Sequence, residues 1–111
     1  MAQPGTGDEV RIEPIYVIEA SCSADAAERR VPFRPEHLRR LARLRDEGVV
    51  VEAGAFADVS ASLVLVRAAD EAAAMALARD DVYVRGGVWT EIRVRPFGRI
   101  VRPVELTDEP G

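Results

Sequence analysis

The chain has 111 residues, 48% of them apolar, and a formal net charge of −4. That length supports one core and one domain, and the apolar share excludes a disordered chain. The acidic balance argues against partners that reward a basic surface, so neither nucleic acid nor an anionic membrane is expected to bind.

Residues 1–9 carry glycine, proline and acids and predict a disordered N-terminal tail. The ordered domain is expected over 10–104, with a flexible tail at 105–111. The N-terminus has no charged and apolar regions of a signal-peptide kind, and no apolar run approaches a membrane span. The first strand is predicted over Ile15–Ser21, a β-branched and aromatic run. A polar stretch from Ser23 to Phe33 follows, in which Ala26–Arg30 can form a short turn of helix.

Arg34-Pro35 opens a clear helix, because proline's missing N–H would be unpaired in a first turn anyway. Leu38, Leu41, Ala42 and Leu44 have helical spacing. Glu36 stands four residues before Arg40, a favourable helix pair. Gly48 supplies a left-handed C-cap. Val49–Gly54 and Ser62–Arg67 are the second and third strands, joined by the short Ala55–Ala61 connection of a hairpin. Asp70 caps a second helix over Glu71–Arg79, and Asp81–Arg85 adds a turn before Gly86-Gly87. The last strand, Val88–Phe97, alternates Val88, Thr90, Ile92 and Val94 against Trp89, Glu91, Arg93 and Arg95.

The order β-α-β-β-α-β is the ferredoxin-like α+β pattern with an antiparallel sheet. Two helices cover one face of such a sheet. The second and third strands are nevertheless apolar on both faces, so a second cover is required. A second subunit packing sheet to sheet is the simplest one, which predicts a homodimer.

The single histidine, His37, lies one turn into the first long helix. Arg34, His37, Leu41, Leu44 and Gly48 share one helical face, so His37 sits at the edge of the core-facing stripe. Histidine is the side chain suited to proton transfer near neutral pH. A core-edge histidine bonded to backbone is the competing reading.

Asp81 is the second candidate. It follows the second helix, where the helix dipole disfavours a carboxylate unless a histidinium or a ligand compensates it. The alternative is a solvated acid beside Asp80. Arg34 can hold an anionic substrate group in a bidentate fork, or instead pair with Glu36 or Glu28. Tyr83 and Trp89 can line a pocket for a flat ligand, or simply pack in the core or a dimer contact. The Arg39-Arg40-Arg43 cluster reads as a solvated outer face balanced by Asp46 and Glu47.

One cysteine and one histidine cannot make an ordinary zinc site or an internal disulfide. Cys22 reads as a buried, inert thiol, which fits a reducing, cytoplasmic setting. All fifteen basic residues are Arg, and there is no Asn, which excludes any mechanism that needs a catalytic asparagine. No Gly-rich phosphate loop follows a strand, and nothing assembles a Ser-His-Asp triad. Neither metal nor cofactor is expected. With one histidine, proton transfer by a His–carboxylate pair is the simplest available chemistry.

Several short stretches, in order, resemble one family. Arg34-Pro35-Glu36-His37-Leu38, Leu41 and Asp46-Glu47-Gly48 are similar to the R-P-x-H-L…D-E-G stretch of the YCII-like family. Tyr16-Val17-Ile18 looks like its first strand and Ala53-Gly54 like the end of its second. Asp81-Val82-Tyr83-Val84 with Gly87-Val88 resembles D-P-Y-V-x-x-G-V, and Val94-Arg95-Pro96-Phe97 resembles V-K-P-F. The chain departs from the pattern at Val82, where the family has proline, and in the shortened Ala55–Ala61 hairpin.

The resemblance spans roughly Ile15 to Gly98 and implies a dimeric α+β barrel with a His–Asp active site, here His37 and Asp81. A characterised relative eliminates chloride from a chlorinated hydroxyquinol; related barrels include muconolactone isomerases and cofactor-free monooxygenases. The expected function is therefore a cofactor-independent lyase or isomerase acting on a small cyclic or aromatic substrate. In this reading His37 and Asp81 are catalytic, and Arg34, Tyr83 and Trp89 bind substrate. A non-catalytic dimeric module, for small-molecule binding or assembly, is the alternative. A cofactor-free monooxygenase is disfavoured by the absence of asparagine and the single tryptophan.

Overall fold

A computed structural model describes residues 9–102. Most of both predicted tails, at 1–9 and 105–111, lies outside the described residues. Eight elements follow one another: β1 (Arg11–Cys22), α1 (Ala26–Arg29), α2 (Arg34–Asp46), β2 (Val50–Ala55), β3 (Ala61–Val66), α3 (Glu71–Arg79), α4 (Val82–Arg85) and β4 (Trp89–Val101). The four strands form one antiparallel sheet in the order β2-β3-β1-β4. This is the predicted ferredoxin-like α+β arrangement. No helix among the described residues is long and apolar enough to cross a membrane.

Local sequence accounts for the element ends. Asp70 caps α3 by accepting the Ala73 N–H at 2.8 Å. Gly48 takes the left-handed conformation (φ +81°) that releases the chain from α2 into β2. β1 and β4 pair from Arg11↔Val101 to Cys22↔Trp89, well beyond the runs predicted from the sequence. Pro14 and Gly98 had marked the limits of those runs, and they face each other across the ladder. β3 ends at Val66 opposite Tyr16, so Pro14 lies where β1 has lost that neighbour, a position that tolerates a missing N–H.

One sheet face carries the core. Ile18, Ala20, Val50, Val64, Val66 and Val94 pack against Leu44 of α2 and Ala74 and Ala78 of α3. The opposite face has no helix over it. On β3 the burial alternates strictly, with Leu63 and Leu65 half-buried on that open side. On β4 the open side is charged, with Arg93 and Arg95 paired to Glu19 of β1. The open face is thus apolar on β3 and mixed on β1 and β4, where Ile15, Val17 and Phe97 share it with the ion pairs, whereas β2 and β3 alone suggested an apolar sheet on both sides.

Two bulges alter the strict alternation read from the sequence. In β2 the register shifts between Val50 and Glu52, so Ala53 pairs with Val64 and shares its inward face. In β4, Ser21 pairs with Glu91 but Cys22 with Trp89, which leaves Thr90 as the extra residue. The alternation had placed Trp89 on the same side of the strand as Glu91 and Arg93. The bulge turns Trp89 inward instead, a common use of bulges beside functional sites.

Candidate functional site

The start of α2, the one-turn helix α4 and the first residue of β4 meet at one point. α2 begins at Arg34-Pro35, and the His37 N–H bonds the Phe33 carbonyl at 3.0 Å, so the imidazole leaves the first turn facing the core. His37 is 6% exposed and Asp81 fully buried. Phe33 holds the start of α2 against the end of α4: a Cβ on Gly86 would lie 2.5 Å from its ring, so that position admits no side chain.

Asp81 does two jobs with one carboxylate. Its Oδ1 accepts the Tyr83 N–H at 2.9 Å, which caps α4, and faces Nδ1 of His37 at 2.8 Å. Its Oδ2 accepts from Nη1 of Arg40 at 3.1 Å, while Nη2 of Arg40 donates to the Leu77 carbonyl in the last turn of α3 at 2.9 Å. Burial alone would raise the Asp81 pKa. The hydrogen bonds from His37 and the Tyr83 N–H, with the His37 and Arg40 charges, outweigh it and hold the carboxyl below its ordinary value. An ionised carboxylate is an acceptor only. Nδ1 is therefore the donor in this contact, and in its neutral form the ring carries its lone pair on Nε2.

This arrangement revises four readings of the sequence. Asp81 begins α4 as its N-cap, where a carboxylate is favourable, so the unfavourable dipole at the end of α3 does not govern it. Arg40 is not part of a solvated outer cluster: its side chain is only 16% exposed and is turned inward to Asp81. Glu36 pairs with Arg85 at 3.8 Å instead of Arg40. His37 bonds a carboxylate, not backbone.

Two rings pack around the pair. Tyr83 stacks on the imidazole at 3.7 Å between centroids and 8° between planes. Trp89 meets the histidine edge-on at 5.4 Å and Tyr83 edge-on at 5.7 Å, and its Nε1–H donates to Ser62 Oγ at 3.3 Å. The stack fixes the ring plane and the hydrogen bond fixes its rotation.

A cavity of about 180 Å³ opens in front of the imidazole. His37, Arg34, Tyr83 and Trp89 all line it. Asp81 does not; it lies behind the ring, so the histidine presents the nitrogen opposite the carboxylate. Leu38, Leu41, Val59 and Val64 supply apolar wall. Arg30 and Cys22 line it too, although no motif or spacing pointed to either of them. Cys22 is half-buried, and burial pushes its thiol up against the smaller opposing effects of Ser62 and Arg30. It is a neutral wall group, not a thiolate. Burial also raises the Tyr83 phenol, opposed by the charges of Arg30 and Arg34.

Arg40 could have been found from spacing, since it stands three residues after His37 and shares its face. The neighbouring Arg39 and Arg43 hid it in an apparent surface cluster. Trp89's inward turn depends on a bulge that no short motif announces.

The model of the YCII-related domain matches residues 15–98. Protein YciI of Escherichia coli O6:H1 is 36% identical over 96 residues, covering 78% of this chain and 98% of that protein; the YciI protein of Shigella flexneri matches equally well. An uncharacterised protein of Haemophilus influenzae is 30% identical over 95 residues, covering 77% and 97%. Among solved structures, the 5-chloro-2-hydroxyhydroquinone dehydrochlorinase of Burkholderia phenoliruptrix, in complex with 2,5-dihydroxybenzoquinone, superposes with a TM-score of 0.62 at 14% identity. That match covers 73% of this chain and 90% of the dehydrochlorinase.

Proposed function

The chain belongs to the YCII-related domain family, and from that premise we propose that it is a small-molecule-processing enzyme, a cofactor-independent lyase or isomerase with His37 as general base. The observation that carries this reading is the Asp81–His37 contact of 2.8 Å directly behind a cavity. Nε2 takes a proton from a carbon next to a carbonyl or phenol. Asp81 keeps the ring in the productive tautomer and stabilises the imidazolium that forms. Arg34 holds the developing enolate. The electron pair left on carbon then either expels a leaving group on the neighbouring carbon or is reprotonated elsewhere, which gives elimination or isomerisation. The fold shared with a dehydrochlorinase that binds a quinone supports a ring-shaped substrate.

The test is turnover of chlorinated hydroxyquinols and small lactones by the wild type and by His37→Ala. A fall of at least about 100-fold in kcat is expected; undiminished turnover would rule the role out. A pure assembly module would have no need of an oriented imidazole facing a cavity, which supports catalysis over that half of the alternative; a small-molecule-binding module would keep its ligand affinity with His37→Ala and show no turnover in either form.

We also propose that the protein is a homodimer, with the Leu63 and Leu65 side of the open face against a second copy. A monodisperse monomer at micromolar concentration in sedimentation would overturn this. A cytoplasmic location fits its single, half-buried thiol.

A further inference from the structure

We propose that Arg30 and Arg34 form a two-arginine clamp at the cavity that selects a single-ring organic anion as its ligand. This rests on the reading of the cavity as the substrate site and adds the substrate's charge and size.

The clamp is built into one turn. Arg30 is the C-cap of α1 and Arg34 the first residue of α2, joined by the Arg34 N–H to the Arg30 carbonyl at 2.8 Å. Both side chains line the cavity, and both guanidinium charges reach the Tyr83 phenol. Neither has a carboxylate partner among the described residues. Neighbouring arginines do: Arg29 pairs with Asp25, Arg40 with Asp81 and Arg85 with Glu36. Arg30 is moreover half-buried. A guanidinium drawn partly out of water without a counter-charge is unfavourable, and an anion in the cavity would relieve it. The planar forks of two arginines match a carboxylate or a delocalised enolate better than a point charge.

The remaining walls set shape and size. They are apolar, with Tyr83 and Trp89 as flat surfaces, which suits a planar ring. The volume of about 180 Å³ is only a little above the roughly 150 Å³ of an engineered cavity that accepts benzene. One substituted ring fills it, and a second fused ring would have to extend through its mouth.

Binding can be read without turnover, because Trp89 is the only tryptophan and lies in the wall. Benzoate, benzamide and 2-naphthoate would be titrated against tryptophan fluorescence. Benzoate should bind saturably, and benzamide and 2-naphthoate each at least about tenfold more weakly. Arg30→Gln and Arg34→Gln should each weaken benzoate about tenfold and leave benzamide unchanged. If Arg30→Gln does not fold, Arg30→Lys, which keeps the charge but loses the fork, should still weaken benzoate measurably. Equal affinity for benzoate and benzamide, no saturable benzoate binding, or benzoate binding indifferent to both arginines would overturn the clamp; 2-naphthoate binding as tightly as benzoate would overturn the preference for a single ring.

His37→Ala separates the two readings. If it binds benzoate through the arginines but turns over substrate as well as wild type, the catalytic reading fails and the clamp stands. If it abolishes turnover while benzoate and benzamide remain indistinguishable, the clamp fails and the catalytic reading stands.

Discussion

Two acid–arginine networks lie on opposite faces of the same sheet. On the helical side, Asp81 joins His37 and Arg40 and is fully buried. On the open side, Glu13 joins Arg67 at 2.6 Å and Arg99 at 3.0 Å, with its side chain 17% exposed, and Glu19 joins Arg93 and Arg95 at 3.5 Å, 29% exposed. The 2.6 Å bond from Arg67 to Glu13 is shorter than any bond Asp81 makes. Distance therefore does not rank them. Water does: on the open side it screens each pair and can replace any lost partner. Around Asp81 it can replace nothing, because the Tyr83 N–H, the imidazole and Arg40 all converge on one dry carboxylate.

The largest expected effect comes from breaking the buried network at its centre. Asp81→Ala removes the α4 cap and strands Arg40 and His37, and should destabilise by about 3–5 kcal/mol in urea unfolding. Asp81→Asn keeps an oxygen for the cap, so it should cost less stability. It nevertheless offers no charge for an imidazolium, and kcat should fall by about 100-fold or more. If the two variants lose stability equally, the charge and not the cap dominates.

Next in size is Arg40→Gln, expected to cost about 2 kcal/mol through the bonds to Asp81 and the Leu77 carbonyl. It should also move acid unfolding to higher pH. The folded-state pKa of Asp81 is depressed below its ordinary 3.8. Its stabilising contribution is then fully present above that value and is lost as pH falls through the lower, folded-state value. Taking away the Arg40 charge raises the folded-state value toward the unfolded one and shrinks the contribution. An acid-unfolding midpoint unchanged in Arg40→Gln would show that Arg40 does not act on Asp81. Gly86→Ala should follow at about 1–3 kcal/mol, because its Cβ would strike the Phe33 ring that seats α2 on α4.

The element order and the ends of the two long helices were legible because each rests on short-range chemistry: Pro35 in a first turn, Asp70 before an alanine run, Gly48 after Glu47. The His37–Asp81 pairing was legible on other grounds. The pairing itself came from the resemblance more than from spacing. What was not legible depended on long-range geometry. The Thr90 bulge decides where Trp89 points, but it exists only as a shift between two strands. Arg40 looked like one arginine among several until α3 and α4 put Leu77 and Asp81 within its reach. Arg30 sat in a segment read merely as polar, and the fold of the α1–α2 turn brings it to the cavity.

The smallest effect sharpens the comparison most, because it is set where geometry alone would predict a large one. Glu13 holds the shortest ion-pair contact of the two networks, and the Arg67 bond, opposed by burial and helped by Arg99, keeps its carboxyl below the ordinary 4.5. By the same sign rule its contribution is present above that value and fades as pH falls through the folded-state one. Glu13→Gln should nonetheless cost less than about 1 kcal/mol at neutral pH, since Arg67 and Arg99 both reach solvent and Arg67 keeps its bond to the Gly48 carbonyl. Raising the salt from 0.05 to about 1 M should erase most of that loss, while leaving the Asp81→Ala deficit in place. If Glu13→Gln instead lost several kcal/mol regardless of salt, the open face would be as dry as the helical one. That would mean a second copy of the chain covers the ion pairs as well as Leu63 and Leu65.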